Sequence, residues 1–119
     1  MEKGLDKKAF GAWCEDFAER WFLAKGCEIL ERNFRCREGE IDLIVRVRFG
    51  LRFVEVKGRR GRKFGGVVEA LTREKTRRMR KAIWRWREAR GNREFGEIWF
   101  LGILVGRDGR ISVEEMMVE

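Results

Sequence analysis

Residues 39–58 read GEIDLIVRVRFGLRFVEVKG, and the alternation within this stretch decides the fold. Ile41, Leu43, Val45 and Val47 alternate with Glu40, Asp42, Ile44 and Arg46, and Leu51 to Lys57 has the same strand character. Strands this close in sequence pair as an antiparallel hairpin, with Phe49-Gly50 as the tight turn. Residues two apart on a strand face one way, so Glu55 and Lys57 share a side, as do Glu40, Asp42 and Ile44. A turn centred on Phe49 and Gly50 sets Arg48 opposite Leu51, Ile44 opposite Glu55 and Asp42 opposite Lys57. Two carboxylates and an ammonium then meet on one sheet face, their side-chain bases ~5–8 Å apart.

Phosphodiester hydrolysis needs this mixture: hard oxygen ligands for a divalent cation, and a cation-bearing side chain to position water and offset phosphoryl charge. In that chemistry Asp42 and Glu55 hold Mg²⁺ or Mn²⁺, and Lys57 lies against the water and the transferring group. Spacing alone is equally compatible with a cross-strand ion pair on a wetted sheet face. Ile41, Leu43, Val45, Phe53, Val54 and Val56 make both strands strongly apolar, however, so the polar face is expected to be partly covered, where charges need partners or a metal.

Outward from the hairpin, Phe10, Trp13, Cys14, Phe17, Ala18, Trp21 and Phe22 recur at helical spacing from about Lys8 to Lys25, with Gly26 as the stop. These aromatics are expected in the core; Glu15 lies on the flank of their stripe and borders whatever the helix packs on. Cys27 to Cys36 reads as an irregular first strand and Glu38-Gly39 as a turn. Gly58 to Gly66 is a basic loop holding Arg59, Arg60, Arg62 and Lys63, and a second, strongly basic helix is expected from about Glu69 to Arg90. Ile98 to Val105 and Ile111 to Val118 complete the pattern, read as a hairpin closed by a two-residue turn at Asp108-Gly109 or as a strand and a short terminal element. One domain over residues 1–119 is expected, with no internal repeat and no linker.

Composition narrows the function classes. Lys and Arg number 28 against 20 Asp and Glu, a formal charge of +8 that favours an anionic partner, nucleic acid foremost. No apolar run approaches the ~20 residues needed to cross a bilayer, and the start of the chain carries no signal-peptide pattern, so a cytoplasmic protein without membrane association is expected. Cys14, Cys27 and Cys36 are odd in number, lack close pairing and have no histidine to complete a zinc site, so they are expected to be reduced and to pack.

The ordered set of Gly39-Glu40-Ile41-Asp42-Leu43-Ile44 and Phe53-Val54-Glu55-Val56-Lys57-Gly58-Arg59 resembles the YraN-like family of uncharacterised bacterial proteins. That family is placed in the restriction-endonuclease-like superfamily, near the archaeal Holliday junction resolvases. The resemblance spans roughly residues 10 to 105. It takes in Gly11, Glu15, Ala18 and Leu23-Ala24-Lys25-Gly26, then Asn33-Phe34-Arg35-Cys36-Arg37, Phe64-Gly65 and Lys75. It implies an α/β fold, a restriction-endonuclease-like core with a central mixed β-sheet flanked by helices. It also implies catalytic roles for Glu15, Asp42, Glu55 and Lys57, with Asp42, Glu55 and Glu15 as metal ligands; Glu19 is the reserve for Glu15, and Glu40 tunes the site. Where relatives show Arg-Phe-Asp, this chain has Glu94-Phe95-Gly96.

The leading functional expectation is a structure-selective DNA endonuclease using Mg²⁺ or Mn²⁺ on DNA that is branched or damaged. Arg35, Arg37, Arg59, Arg60, Arg62, Lys63 and Lys75 would grip the backbone. The alternatives are a nucleic-acid-binding module without turnover, and a scaffold whose exposed aromatics bind another protein. A homodimer would supply two equivalent sites for two strands, with Trp84, Trp99 and Phe100 available to cover its interface.

Overall fold

The computed structural model describes residues 5–61 and 72–119, so Arg62, Lys63, Phe64-Gly65 and the expected start of the second helix lie outside the described residues. Within them the chain runs α1 (Lys7–Ala24), β1 (Glu28–Arg35), β2 (Glu40–Val47), β3 (Gly50–Arg60), α2 (Arg73–Arg90), β4 (Gly96–Val105) and β5 (Ile111–Val118). The strands form one sheet in the order β1-β2-β3-β4-β5, parallel at β3–β4 and antiparallel elsewhere. The mixed sheet with a helix on each face is the expected restriction-endonuclease-like core. No helix among the described residues is long and apolar enough to cross a membrane.

Each helix has chemical stops. Asp6 caps α1 by accepting from the Ala9 N–H at 2.7 Å, and Gly26 follows its end with a φ of 83°. Thr72 caps α2 by accepting from the Lys75 N–H at 3.1 Å, and Gly91 ends it in the left-handed region at φ 60°. The four-residue spacing of Phe10, Cys14, Ala18 and Phe22 buries one stripe of α1 on Leu43, Val45, Val54, Val56, Leu101 and Ile103. On the other face Met79, Ala82 and Trp86 of α2 cover Ile44, Leu51, Phe53 and Ile98. The central strands are therefore buried on both sides, which is why β4 reads as a nearly continuous apolar run from Ile98 to Val105.

Two turns differ from expectation. Val47 pairs with Gly50, so Arg48 and Phe49 form the hairpin loop and the positive φ, 126°, falls on Gly50. The glycine takes the backbone conformation that a phenylalanine resists, and this moves the register. Ile44 pairs with Phe53 rather than Glu55, and continuing the same count sets Asp42 level with Glu55 instead of Lys57. The partner shifts by two residues, so the pleat is kept and the same side chains face the same way. Between β4 and β5 the chain turns through Gly106 to Arg110, closed by a 2.8 Å bond from the Gly106 N–H to the Arg110 carbonyl, a longer loop than two residues. Phe100, a candidate for an interface, is 1% exposed and belongs to the interior.

The approach of α1 to β3 is set by Gly58. A Cβ there would strike Cys14 Sγ and lie 3.0 Å from Phe10 Cε2, so only glycine lets the helix sit this close to the strand that carries Glu55 and Lys57. Gly58→Ala should therefore destabilise the fold by about 1–3 kcal/mol through overpacking. In a Cys14→Ala background the penalty should shrink by about 1 kcal/mol or more, a coupling that denaturant melts of the four proteins in the cycle would read. Strict additivity would refute this contact.

Candidate active site

The site forms where the sheet forks. The last β2–β3 pair is Leu43 with Val54; beyond it β2 continues only against β1 and β3 only against β4. Parting strands leave backbone N–H groups without ladder partners, and such groups are costly when covered. Asp42 fills the gap, its Oδ2 accepting from the Val56 N–H at 2.8 Å. The fork coincides with a break in pleating. Arg32 reaches toward α1 while Phe34, two residues on, packs on the α2 side, and Leu43 and Ile41 divide in the same way. Ordinary pleating forbids both. Between Arg32 and Phe34 sits Asn33 at φ 57°, level with Asp42 in the register. Asparagine tolerates that conformation better than most residues, so Asn33 is the chemical origin of the break.

Burial dominates the electrostatics at the fork. Removal from water and the charge of nearby Glu55 push the Asp42 carboxyl up to about 8, against the opposing bond from the Val56 N–H. Glu55 is also raised, first by burial, while Lys75 and Lys57 pull it back and a hydrogen bond from protonated Asp42 favours its charged form. Two carboxyls that cannot both ionise cheaply share a proton at neutral pH, or share a cation that replaces it. Cys14 lines the same cleft, but burial pushes its thiol up to about 11, so it stays protonated and unreactive.

An open cleft of about 670 Å³ exposes this pair, bounded by Gly11 and Glu15 of α1, Glu40 and Asp42 of β2, Glu55 and Lys57 of β3, and Lys75 of α2. The structure thus brings together all four residues expected to act, Glu15, Asp42, Glu55 and Lys57. A second cleft of about 600 Å³ adjoins it, lined by Arg35, Arg37, Arg78 and, again, Glu40, Glu55 and Lys75. Gly39 allows that proximity: a Cβ there would lie 2.7 Å from the Arg78 carbonyl oxygen, so the β1–β2 turn rests on the backbone of α2.

Several placements were not legible in advance. Arg32 is the organiser of the first helix's acidic side, bonding Asp16 at 2.7 Å and Glu19 at 2.9 Å and reaching Glu15 at 3.8 Å. Glu19 is thereby committed to Arg32, whereas Glu15 keeps a place on the cleft wall. Lys75, expected on the nucleic-acid surface, lies with its Nζ 3.8 Å from Glu55 Oε2. The only sequence signal for Arg32 is its place one residue before Asn33 on an otherwise ordinary strand. Arg60 is stacked 4.4 Å over Phe10 and donates to the Leu5 carbonyl, tying the end of β3 to the start of α1. Glu94, in the divergent Glu94-Phe95-Gly96 segment, accepts from Arg46 at 2.7 and 3.1 Å and from Asn92, so its charge serves as a structural clasp.

Residues 14–105 match the Uncharacterised protein family UPF0102. The chain belongs to this family. A UPF0102 protein of Frankia casuarinae is 48% identical over 80 residues, covering 67% of this chain and 68% of that protein. One from Beutenbergia cavernae is 49% identical over 80 residues, with the same coverage of both chains. One from Mycobacterium sp. strain JLS is 40% identical over 113 residues, covering 92% of this chain and 84% of the relative. The family so identified is the restriction-endonuclease-like one that the paired motifs resemble, and its matched span holds every element that builds the fork.

The donor set suits a hard cation. Among the described residues no group of three His, Cys, Asp or Glu side chains is placed to hold a metal ion. Mg²⁺ is commonly bound by one or two carboxylates with water and substrate phosphate completing its shell, so Asp42 and Glu55 together meet that need. The raised carboxyls also fix the pH response of the metal-free fold. The folded state binds a proton that the unfolded chain releases near the ordinary Asp value of 3.8, so this stabilisation is complete below that value and is lost as pH rises toward about 8. In chelator, the melting temperature of the wild type should fall across this window, whereas Asp42→Asn, which keeps an acceptor for Val56, should fall less. Calorimetric scans at several pH values give the difference; parallel slopes in the two proteins would contradict the raised Asp42.

Proposed function

We propose that this chain is a Mg²⁺- or Mn²⁺-dependent endodeoxyribonuclease that hydrolyses phosphodiester bonds in branched or damaged DNA. The observation that carries this reading is the forced meeting of Asp42 and Glu55 at the fork, beside Lys57, in an open cleft within a chain of charge +8. A cation held by Asp42 and Glu55 would polarise a phosphoryl oxygen and make water a stronger nucleophile at neutral pH.

The chain's own residues account for the remaining needs. Asp42 and Glu55, whose carboxyls burial raises, would hold the cation in place of the proton they share. The Lys57 ammonium hydrogen-bonds the attacking water and the phosphoryl oxygens, where negative charge grows in the transition state. Glu15, held near Arg32, orients water from the α1 side. Arg35, Arg37 and Arg59, with Arg62 and Lys63 next in sequence after β3, steer and position the phosphate backbone without reading bases. Two copies related by a twofold axis would present one site to each strand, and the 58% exposure of Trp84 leaves an aromatic surface for such a contact.

A second reading, a DNA-binding module without turnover, draws support from the lack, among the described residues, of three carboxylates placed together to hold a metal ion. The two readings part on Lys57→Ala. Supercoiled and four-way-junction DNA should be nicked by wild type with Mg²⁺ or Mn²⁺ and not in chelator. Lys57→Ala, purified identically, should lose about 10²–10³-fold in rate, as for removal of one transition-state donor, with little change in DNA affinity. Equal rates in the two proteins would remove Lys57 from catalysis; binding without cutting by either would establish the binding module instead. Affinity should also fall steeply with salt, by a log-log slope of about 0.9 per duplex phosphate neutralised.

A further inference from the structure

Lys75 stands in an unusual place for a residue on a basic helix. It belongs to the first turn of α2 and is exposed, as Arg73, Arg77 and Arg78 are, yet its side chain turns toward β3. Its backbone N–H is fixed by Thr72, so only the flexible side-chain stem carries the ammonium across to β3. There it lies 3.8 Å from Glu55 Oε2, a carboxylate whose side chain is only 17% exposed. Lys75 and Glu55 line both clefts, so their contact lies where two lobes of one trough adjoin.

A divalent cation ligated by Glu55 would sit within a few ångströms of the ammonium, and like charges at that range repel, the more so beside a carboxylate only 17% exposed. The ion pair and the ligated cation are therefore competing partners of one oxygen. The trough also admits a second acceptor for the ammonium, since a backbone phosphate in either lobe, that of Arg35, Arg37 and Arg78 or that of Asp42, would lie against a wall to which Lys75 belongs. Phosphate binds lysine as a point charge and exposes more acceptor oxygens than a half-buried carboxylate.

On the reading of Asp42 and Glu55 as cation ligands, we propose that Lys75 is a positioning residue that occupies Glu55 until a backbone phosphate draws it away, coupling cation binding to nucleic-acid binding. The protein alone then takes up a divalent cation weakly, and DNA strengthens that uptake by releasing Glu55. Thermodynamic reciprocity requires the cation to strengthen DNA binding by the same factor.

The test is calorimetric titration of Mn²⁺ into the full chain, alone and with a short phosphorothioate duplex that resists cleavage, with Mn²⁺ uptake by the duplex itself subtracted. Wild type, Lys75→Met, Lys75→Arg and Glu55→Gln are compared, each checked for a native melting transition. Lys75→Met should bind Mn²⁺ about tenfold tighter than wild type without DNA, within the usual range of coupling between linked sites. DNA should strengthen binding to wild type and to Lys75→Arg, which keeps the charge, but add little for Lys75→Met. Equal affinity of wild type and Lys75→Met, with binding abolished in Glu55→Gln, would overturn the role of Lys75 while leaving the cation site in place. Mn²⁺ binding by none of the four proteins would overturn the cation-site reading itself, and this proposal with it.

Discussion

The hydrogen bond from the Val56 N–H to Asp42 holds the centre of this molecule together where its sheet comes apart. A sheet satisfies its backbone by keeping strands side by side, and a cleft between two central strands removes that satisfaction from the groups along its walls. Here one carboxylate repairs the loss while remaining exposed to whatever enters the cleft. The same side chain is thus a structural acceptor and a candidate ligand, which ties the integrity of the fork to the chemistry proposed for it. Asn33 opposite Asp42 makes the break possible, because its left-handed backbone turns the end of β1 so that Phe34 packs beneath α2.

Charge distribution around the fork follows a consistent logic. The acidic residues of the cleft are few and partly buried, which raises the carboxyls of Asp42 and Glu55 and makes them responsive to a proton, a lysine or a cation. Several other acidic groups near the sheet are paired with arginine: Asp16 and Glu19 with Arg32, Glu38 with Arg85, Glu31 with Arg90, and Glu94 with Arg46. Exposed pairs of this kind contribute little stability individually. Their effect is to leave the basic surplus of the chain as the long-range field that a polyanion would meet.

The helices contribute position more than chemistry. α1 is drawn against β3 because Gly58 presents no side chain to Cys14 and Phe10, and this closeness places Glu15 on the cleft wall. α2 is drawn against the β1–β2 turn because Gly39 presents none to the Arg78 backbone. The two glycines flank the acidic and Glu-x-Lys segments in sequence, so each strand of the fork carries with it the means of docking a helix beside the site.

The sequence by itself determined the central strands, the first helix and the identity of Glu15, Asp42, Glu55 and Lys57, which the cleft gathers. Period-two alternation in residues 39–58 and three- to four-residue spacing of aromatics in α1 are local consequences of pleat and helix geometry, so they survive without knowledge of the fold. The side on which Asp42, Glu55 and Lys57 lie was legible for the same reason, even though the hairpin register moved by two, because that shift preserves the pleat. Tertiary structure alone decided that Asp42 stands level with Glu55, that the two strands part beyond Leu43 and Val54, and that Lys75 reaches across to Glu55. It also decided that Arg32 clasps α1 and that Phe100 is buried. Those outcomes depend on which backbone takes the strained turn and on what approaches from residues far along the chain. Spacing within a strand carries information about its own faces, whereas the partner that covers each face is settled only when the sheet and both helices have packed.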